Sequence, residues 1–181
     1  MNRVLILYGS TDGQTGKIAD AMHETLHRAG VDCNVVEAGT LAPNVAEYSA
    51  IIIAASVHTG RYQRSVENWV RANATALNDK PTAFVSVCLA ILQQSDPKVM
   101  AELDAIVRRF TSTTGWNPGI VKQVAGALLY TRYNFFKRWI MKRIVAKAGG
   151  ATDTSRDYEY TDWTDVRRFT EEFVRRIPAA A

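Results

Sequence analysis

The sequence has few cysteines and no long apolar segment. Its 181 residues include two cysteines, Cys33 and Cys88, which are too few for a disulfide framework or a zinc cluster, so we expect a reducing, cytoplasmic environment. No apolar run approaches the roughly 18 residues of a membrane-spanning helix, and the N-terminal run is too short for a signal peptide. No sequence period recurs, which excludes collagen, coiled-coil and repeat architectures.

Acidic residues are absent from one long stretch. Between Ala105 and Thr152 there is no Asp or Glu, whereas nine of the 22 basic residues lie there. The rest of the chain holds 13 basic and 18 acidic residues, although the whole chain has a net charge of +4. The positive charge is therefore concentrated, which indicates that one face of the protein meets an anionic partner.

Apolar runs alternate with helical patterns along the chain, and the length predicts a single domain over residues 1–181. The predicted strands are Val4–Tyr8, Val31–Glu37, Ala50–Ser56, Thr82–Cys88 and Val121–Tyr130. The predicted helices are Thr15–Ala29, Ser65–Leu77, Pro97–Phe110 and Arg167–Ile177. This alternation predicts the α/β class, with five strands in a doubly wound parallel sheet of order 2-1-3-4-5.

Such sheets bind ligands at the carboxyl ends of their strands. Three predicted loops share that edge, namely Gly9–Gln14, Val57–Gln63 and Leu89–Asp96. The functional site is therefore expected at this edge of the sheet. No metal site is expected, since His23 and His27, which are one helical turn apart, have no third ligand in a recognisable motif.

The first loop has the features of a phosphate site. It leaves a buried strand and enters a helix, where backbone N–H groups and the helix N-terminus converge. Its residues supply hydroxyl, amide and glycine backbone groups with no Lys or Arg: Ser10, Thr11, Asp12, Gly13, Gln14 and Thr15. The dinucleotide and Walker A motifs are both absent. The loop predicts a phosphate monoester held by neutral donors, the alternative being a polar turn that caps a helix.

The segment 131–160 is too long for an ordinary connection between a strand and a helix. It contains a predicted amphipathic helix, 134–148, that ends at Gly149-Gly150. One side of this helix is apolar and includes Phe135, Phe136, Trp139 and Ile140, and the other carries Lys137, Arg138, Lys142, Arg143 and Lys147. The helix either packs on the domain or lies in a membrane interface with its cations on anionic lipid. A nucleic-acid role is not expected, because no recognition motif accompanies the basic residues.

The chain resembles the flavodoxin-like, menaquinone-dependent protoporphyrinogen IX dehydrogenases of bacteria. The resemblance covers nearly the whole chain, and the basic segment and the Thr161-Asp162-Trp163 motif are its most specific parts. The matching stretches are Ser10–Thr15, Ala55–Tyr62, Ser86-Val87, Ala125–Leu128, Tyr130, Arg132-Tyr133, Gly149-Gly150, Thr152–Thr154 and Tyr160–Trp163.

This resemblance implies a flavodoxin-like fold with non-covalently bound FMN. The first loop would hold the phosphate, while two further loops would flank the flavin ring. The implied ring-flanking residues are Ser56, Val57, His58, Thr59, Gly60, Tyr62, Ser86, Val87, Cys88, Leu89 and Ala90. Tyr62 either stacks on the ring or packs in the protein, and both alternatives stay open. For Cys88, a buried and inert thiol is favoured. No acid–base pair is expected, because the flavin carries the hydride chemistry.

The implied activity is the oxidation of protoporphyrinogen IX to protoporphyrin IX in haem biosynthesis, with electrons passing to menaquinone or ubiquinone. We expect a cytoplasmic protein that associates with the inner face of the plasma membrane; whether it forms a homo-oligomer is left open. Expected contacts to membrane or substrate propionates are Arg132, Phe135, Phe136, Lys137, Arg138, Trp139, Lys142 and Arg143. The alternatives are a flavodoxin-type electron carrier and a soluble NAD(P)H-dependent quinone reductase. Carriers are usually strongly acidic, which this chain is not.

Overall fold

The computed structural model describes residues 3–40, 43–132 and 153–178. The strands are β1 (Arg3–Gly9), β2 (Asp32–Glu37), β3 (Ala50–Ser56), β4 (Thr82–Val87), β5 (Ile120–Val124), β6 (Ala127–Leu128) and β7 (Tyr158–Glu159). The α-helices are α1 (Gln14–Arg28), α2 (Arg64–Asn78), α3 (Pro97–Thr114) and α4 (Trp163–Val174).

Five parallel strands form the central sheet in the order β2-β1-β3-β4-β5. This confirms the predicted fold class and strand order. The apolar runs of β1 and β3 explain why these strands are central, because a strand covered by helices on both faces has no polar side. Ile51, Ile52 and Ile53 are all fully buried and alternate between the two faces.

Helices cover both faces of the sheet and form two cores. Ile18, Met22 and Phe173 from α1 and α4 pack on one face. On the other face, residues of α2 and α3, including Val70 and Phe110, form the second core. Because the five strands of the sheet are parallel, their carboxyl ends lie at one edge. The three predicted loops occupy this edge.

Aspartates cap the N-termini of two of the helices. The Asp96 carboxylate accepts a hydrogen bond from the Lys98 amide (2.9 Å) at the start of α3. The Asp162 carboxylate accepts from the amides of Thr164 and Asp165, both at 3.0 Å, at the start of α4. Each carboxylate thus satisfies amides that lack partners within the helix, which stabilises the helix N-terminus.

The predicted fifth strand is wrong beyond Val124. The apolar pattern over Val121–Tyr130 suggests one strand, but β5 ends at Val124 and β6 pairs antiparallel with β7 in a separate ribbon. Residues of this ribbon and its flanks form a small third core around the fully buried Leu128 and Tyr130. The last helix also begins at Trp163 rather than at the predicted Arg167.

The whole of the predicted basic helix, 134–148, lies outside the described residues. This applies to Phe135, Phe136, Lys137, Arg138, Trp139, Lys142 and Arg143, and the Arg132 side chain is not described either. The described parts on either side of it are β6 with a short helical turn at Tyr130–Arg132, and β7. Within the described ranges, no helix combines the length and apolarity needed to cross a membrane.

Candidate functional site

The three loops meet at the carboxyl edge of the sheet. The Val57 amide donates to the Val87 carbonyl (2.8 Å), and the Cys88 amide donates to the Val124 carbonyl (2.9 Å), so the loops after β3 and β4 start from fixed positions. The sequence predicted this convergence, since parallel strands end at one edge.

Gln63 joins the first loop to the second. Its Nε2 donates to Thr11 Oγ1 (3.0 Å) and to Ser56 Oγ (2.7 Å). Sequence reasoning missed Gln63 as a site residue, because it lies at the end of the second loop, just before α2, and matches no motif. The two hydrogen bonds make it a bridge between the phosphate loop, residues 10–15, and the end of β3.

The phosphate loop makes a tight turn into α1. Gly13 precedes the helix with φ of 96°, a conformation that other residues adopt only with strain, and its amide donates to Ser10 Oγ (2.9 Å). None of the described side chains caps the helix, and its first turn contains no acidic residue. The amides at this N-terminus are therefore suited to an anion.

At this edge, three buried polar atoms have no hydrogen-bond partner among the residues that the structure describes. They are Thr15 Oγ1 and Gln14 Oε1 in the first turn of α1, and Gln63 Oε1 in the bridge. Thr15 is 1% exposed, so bulk water does not reach its hydroxyl to form the missing hydrogen bond. Because a buried polar group without a partner is destabilising, its presence here indicates a ligand that supplies one. A hydroxyl can donate to a phosphate oxygen, and the amide oxygens can accept from hydroxyl groups of a ligand.

The second loop contains a two-residue turn. The amide and carbonyl of His58 exchange hydrogen bonds with those of Arg61 (2.8 and 3.1 Å). The central residues, Thr59 and Gly60, have positive φ angles of 48° and 74°, as a type I′ turn requires. Arg109 of α3 donates to the Gly60 carbonyl and holds the turn from outside. His58 and Thr59 are exposed on it.

Tyr62 belongs to the core and does not offer a face for stacking. Its ring makes edge contacts with Phe84 and Phe110, at centroid distances of 5.0 and 4.9 Å. Its hydroxyl pairs with Ser86 Oγ (2.8 Å), so both predicted ring-flanking side chains are directed toward each other. Burial raises the pKa of Tyr62 to about 12. Of the two alternatives for Tyr62, these contacts favour packing in the protein over stacking on a flavin.

The third loop is more apolar. Val87 is buried in the sheet, whereas Cys88, Leu89 and Ala90 are half-buried at its edge, where a short helical turn begins. Burial raises the pKa of the Cys88 thiol, which agrees with an unreactive side chain. This loop can offer apolar contacts and backbone groups to a planar ligand.

A cleft of about 240 Å³ adjoins the phosphate loop. It lies between the start of α1 and the β6–β7 ribbon, and its walls include Gln14, Lys17, Leu129 and Glu159. Burial raises the pKa of the Glu159 carboxyl, but hydrogen bonds from Trp163, Gln14 and Lys17 outweigh this effect and hold the pKa below its ordinary value.

The segment that follows the basic insertion is attached to the phosphate loop. Gln14 Nε2 donates to Thr161 Oγ1 (3.0 Å), and this hydroxyl donates to the Ala125 carbonyl (2.8 Å). Lys17 and Glu159 form an ion pair (3.4 Å) nearby. The Thr161-Asp162-Trp163 motif thus has a structural role beside the candidate site, which its sequence position does not reveal.

The chain matches the family model described as "Flavodoxin domain" over residues 5–155. It is 33% identical over 171 residues to "Protoporphyrinogen IX dehydrogenase [quinone]" of Escherichia coli (strain K12), covering 94% of this chain and 93% of that protein. A protein of the same name from Leishmania major is 35% identical over 173 residues, covering 94% of this chain and 74% of that protein.

Solved structures of flavodoxins share the fold. Oxidised Flavodoxin 1 from Bacillus cereus superimposes with a TM-score of 0.59 at 16% identity, covering 98% of this chain and all (100%) of that one. The flavodoxin of Streptococcus pneumonia TIGR4 gives 0.58 at 19% identity, covering 96% and 98%. At such identities these structures support the fold alone, whereas the curated relatives are similar along almost the whole chain. The chain therefore belongs to the flavodoxin-like protoporphyrinogen IX dehydrogenase [quinone] family.

Proposed function

We propose that the chain binds FMN and oxidises protoporphyrinogen IX to protoporphyrin IX, with a membrane quinone as the electron acceptor. The observation that carries the flavin assignment is the buried Thr15 hydroxyl at the N-terminus of α1, which has neither a hydrogen-bond partner nor a side-chain cap beside it in the described ranges. Together with Ser10 and Thr11, it forms a set of neutral donors that fits a phosphate monoester. When bound, the flavin supplies hydride acceptance at N5.

The substrate assignment is supported by the family. The relatives from Escherichia coli and Leishmania major are named as quinone-linked protoporphyrinogen IX dehydrogenases, and the similarity extends over 94% of this chain. Each hydride removed from the tetrapyrrole, together with one proton, converts one quinone to one quinol, so the complete oxidation consumes several quinones. The reaction thus needs no other oxidant.

The residues of the edge bind and orient rather than exchange protons. The phosphate would be held by Thr15, Ser10 and the first amides of α1. Gln63 fixes the distance between the phosphate loop and Ser56 through its two hydrogen bonds. The loop after β4, with its half-buried Leu89 and Ala90, would offer apolar contacts to the ring. The exposed His58 has no fixed partner for a catalytic role among the described side chains, so we assign it none.

We further propose that the cation-rich insertion brings the protein to the cytoplasmic face of the membrane, where menaquinone is found. This rests on the sequence, in which five cations alternate with large apolar residues over 135–147. Each cation contributes about 1 kcal/mol near an anionic surface, which suffices for reversible attachment. In a flotation experiment the protein should rise with vesicles that contain anionic lipid and stay behind with neutral ones; equal recovery would refute the membrane role.

The redox activity can be tested directly. Purified, FMN-loaded protein is mixed anaerobically with protoporphyrinogen IX and a menaquinone analogue, and porphyrin fluorescence is followed. We expect fluorescence to grow only when quinone is present. Thr15→Val should lose activity in proportion to lost flavin, while Thr25→Val, a buried change in the same helix, should keep it. Reduction of the flavin by NADPH alone, with no porphyrin formed, would instead favour a quinone reductase.

A further inference from the structure

A groove of about 210 Å³ lies between the 58–61 turn and helices α2 and α3. Tyr62, Ile106 and Phe110 give it an apolar lining, and Arg61 and Arg109 bring two guanidinium groups to it. The groove is separate from the cleft beside the phosphate loop, which lies against α1 and the β6–β7 ribbon. An apolar pocket with a few convergent polar groups is the usual form of a small-molecule site.

The groove carries a positive charge that the described residues do not neutralise. Its one carboxylate, Glu67, is paired with Arg71, which also donates to the Thr113 carbonyl (3.3 Å). Among the ion pairs between described residues, none involves Arg61 or Arg109. The groove is thus suited to an anion that has an apolar body.

Arg109 is held in place before any ligand binds. It donates to the Gly60 carbonyl, and the turn that carries this carbonyl is closed by the two backbone hydrogen bonds between His58 and Arg61. A guanidinium has five N–H donors in a rigid plane, so one such bond leaves donors for a carboxylate. The fixed guanidinium of Arg109 and the exposed one of Arg61 form a suitable pair for binding a carboxylate.

We propose that this groove binds one carboxylate of an apolar dicarboxylic acid, through Arg61 and Arg109. The inference rests on the proposed function for the identity of the acid, which is the porphyrinogen: the groove takes one of its propionates, whose methylene groups suit the apolar lining. The turn that borders the groove continues directly from Ser56 at the candidate flavin edge. A propionate held here therefore orients the tetrapyrrole relative to that edge through the same loop.

The carboxylate requirement can be measured by equilibrium binding. The probes are protoporphyrin IX and its dimethyl ester, titrated into FMN-loaded protein while porphyrin fluorescence is recorded. Arg61→Gln should weaken binding of the diacid about tenfold, as loss of a charge-assisted hydrogen bond does, and leave the diester unaffected. Arg108→Gln, an exposed change on α3 outside the groove, should alter neither. Equal binding of the diacid to Arg61→Gln and wild type, or an equal loss for both probes, would overturn the assignment.

A second measurement separates this inference from the proposed function. In the quinone-dependent assay, Arg61→Gln should raise KM for protoporphyrinogen IX about tenfold and leave kcat and FMN content unchanged. Arg109→Lys, which keeps the charge but loses the planar fork, should have a smaller effect in the same direction. If the wild-type protein oxidises the porphyrinogen and Arg61→Gln has the same KM, only the groove assignment fails. If flavin-loaded wild type forms no porphyrin, the proposed function fails.

Discussion

Replacing Thr15 by valine should make the protein more stable without flavin and poorer at binding it. Valine has nearly the shape of threonine, but it lacks the hydroxyl that the structure buries without a partner. Both residues are β-branched, so the substitution changes little in the helix propensity of the first turn of α1. The two effects have opposite signs, which distinguishes a ligand-binding hydroxyl from a merely structural one.

The magnitudes follow from the cost of an unpaired polar group. A buried hydroxyl without a hydrogen bond costs about 1–3 kcal/mol, so removing it should stabilise the flavin-free protein by about 1 kcal/mol after allowing for relaxation. In the complex, the same hydroxyl would donate to a charged phosphate, and such bonds contribute about 1.5–3 kcal/mol. Its loss should weaken FMN binding by about ten- to a hundredfold.

Urea unfolding of the flavin-free protein and quenching of FMN fluorescence measure the two quantities. Thr25→Val is the matched control, because Thr25 is buried in the same helix but donates to the Ala21 carbonyl (2.9 Å). This variant should keep wild-type FMN affinity and gain no stability. Two results would refute the assignment of Thr15 to the phosphate. One is that the Thr15→Val variant unfolds more easily than the wild type, and the other is that it binds FMN with unchanged affinity.

Three further predictions concern the supporting residues. Gln63→Ala should weaken FMN binding about tenfold by removing two hydrogen bonds between loops, whereas Asn68→Ala, exposed on α2, should not change the Kd. Asp162→Ala should lower Tm by about 2–4 °C, since it removes a cap of about 1 kcal/mol, and Glu171→Ala on the same helix should leave Tm unchanged. Because burial raises the pKa of Tyr62 to about 12, its contribution to stability is complete below pH 10 and is lost as the pH rises through 12. Tyr62→Phe should flatten this part of the pH–stability curve, and an unchanged curve would contradict the buried position.

The sheet was predictable because its signals are local. The apolar runs of β1, β3 and β4 and the helical patterns between them are each contained within a few residues, and the handedness of parallel connections then limits the topology. β5 shows where this reasoning fails. Its apolar pattern continues past Val124, but Ala127 and Leu128 pair with Glu159 and Tyr158, which lie about thirty residues later in the chain. A pairing at that distance leaves no periodicity in the sequence around β6.

The candidate site was predictable only in part. The phosphate loop has a recognisable order of residues, and its position between a strand and a helix is decided by neighbours in sequence. The resemblance to the family is compatible with both a stacking and a packing role for Tyr62. Its contacts with Phe84 and Phe110, which no sequence motif records, favour the packing role. Gln63 and Arg109 act across loops, at sequence distances where no motif records the contact.

Other buried threonines strengthen the case for Thr15 as a ligand-binding residue. The hydroxyls of Thr114 and Thr170 donate to the carbonyl one helical turn earlier, at 2.9 and 2.8 Å. The Thr82 hydroxyl accepts from the indole of Trp116 (3.2 Å). The fold thus pairs buried hydroxyls wherever its own backbone or side chains can reach them. Thr15 departs from this rule at a helix N-terminus, where free amides attract an anion. Its lack of a hydrogen-bond partner among the described residues therefore supports our proposal that it binds a phosphate.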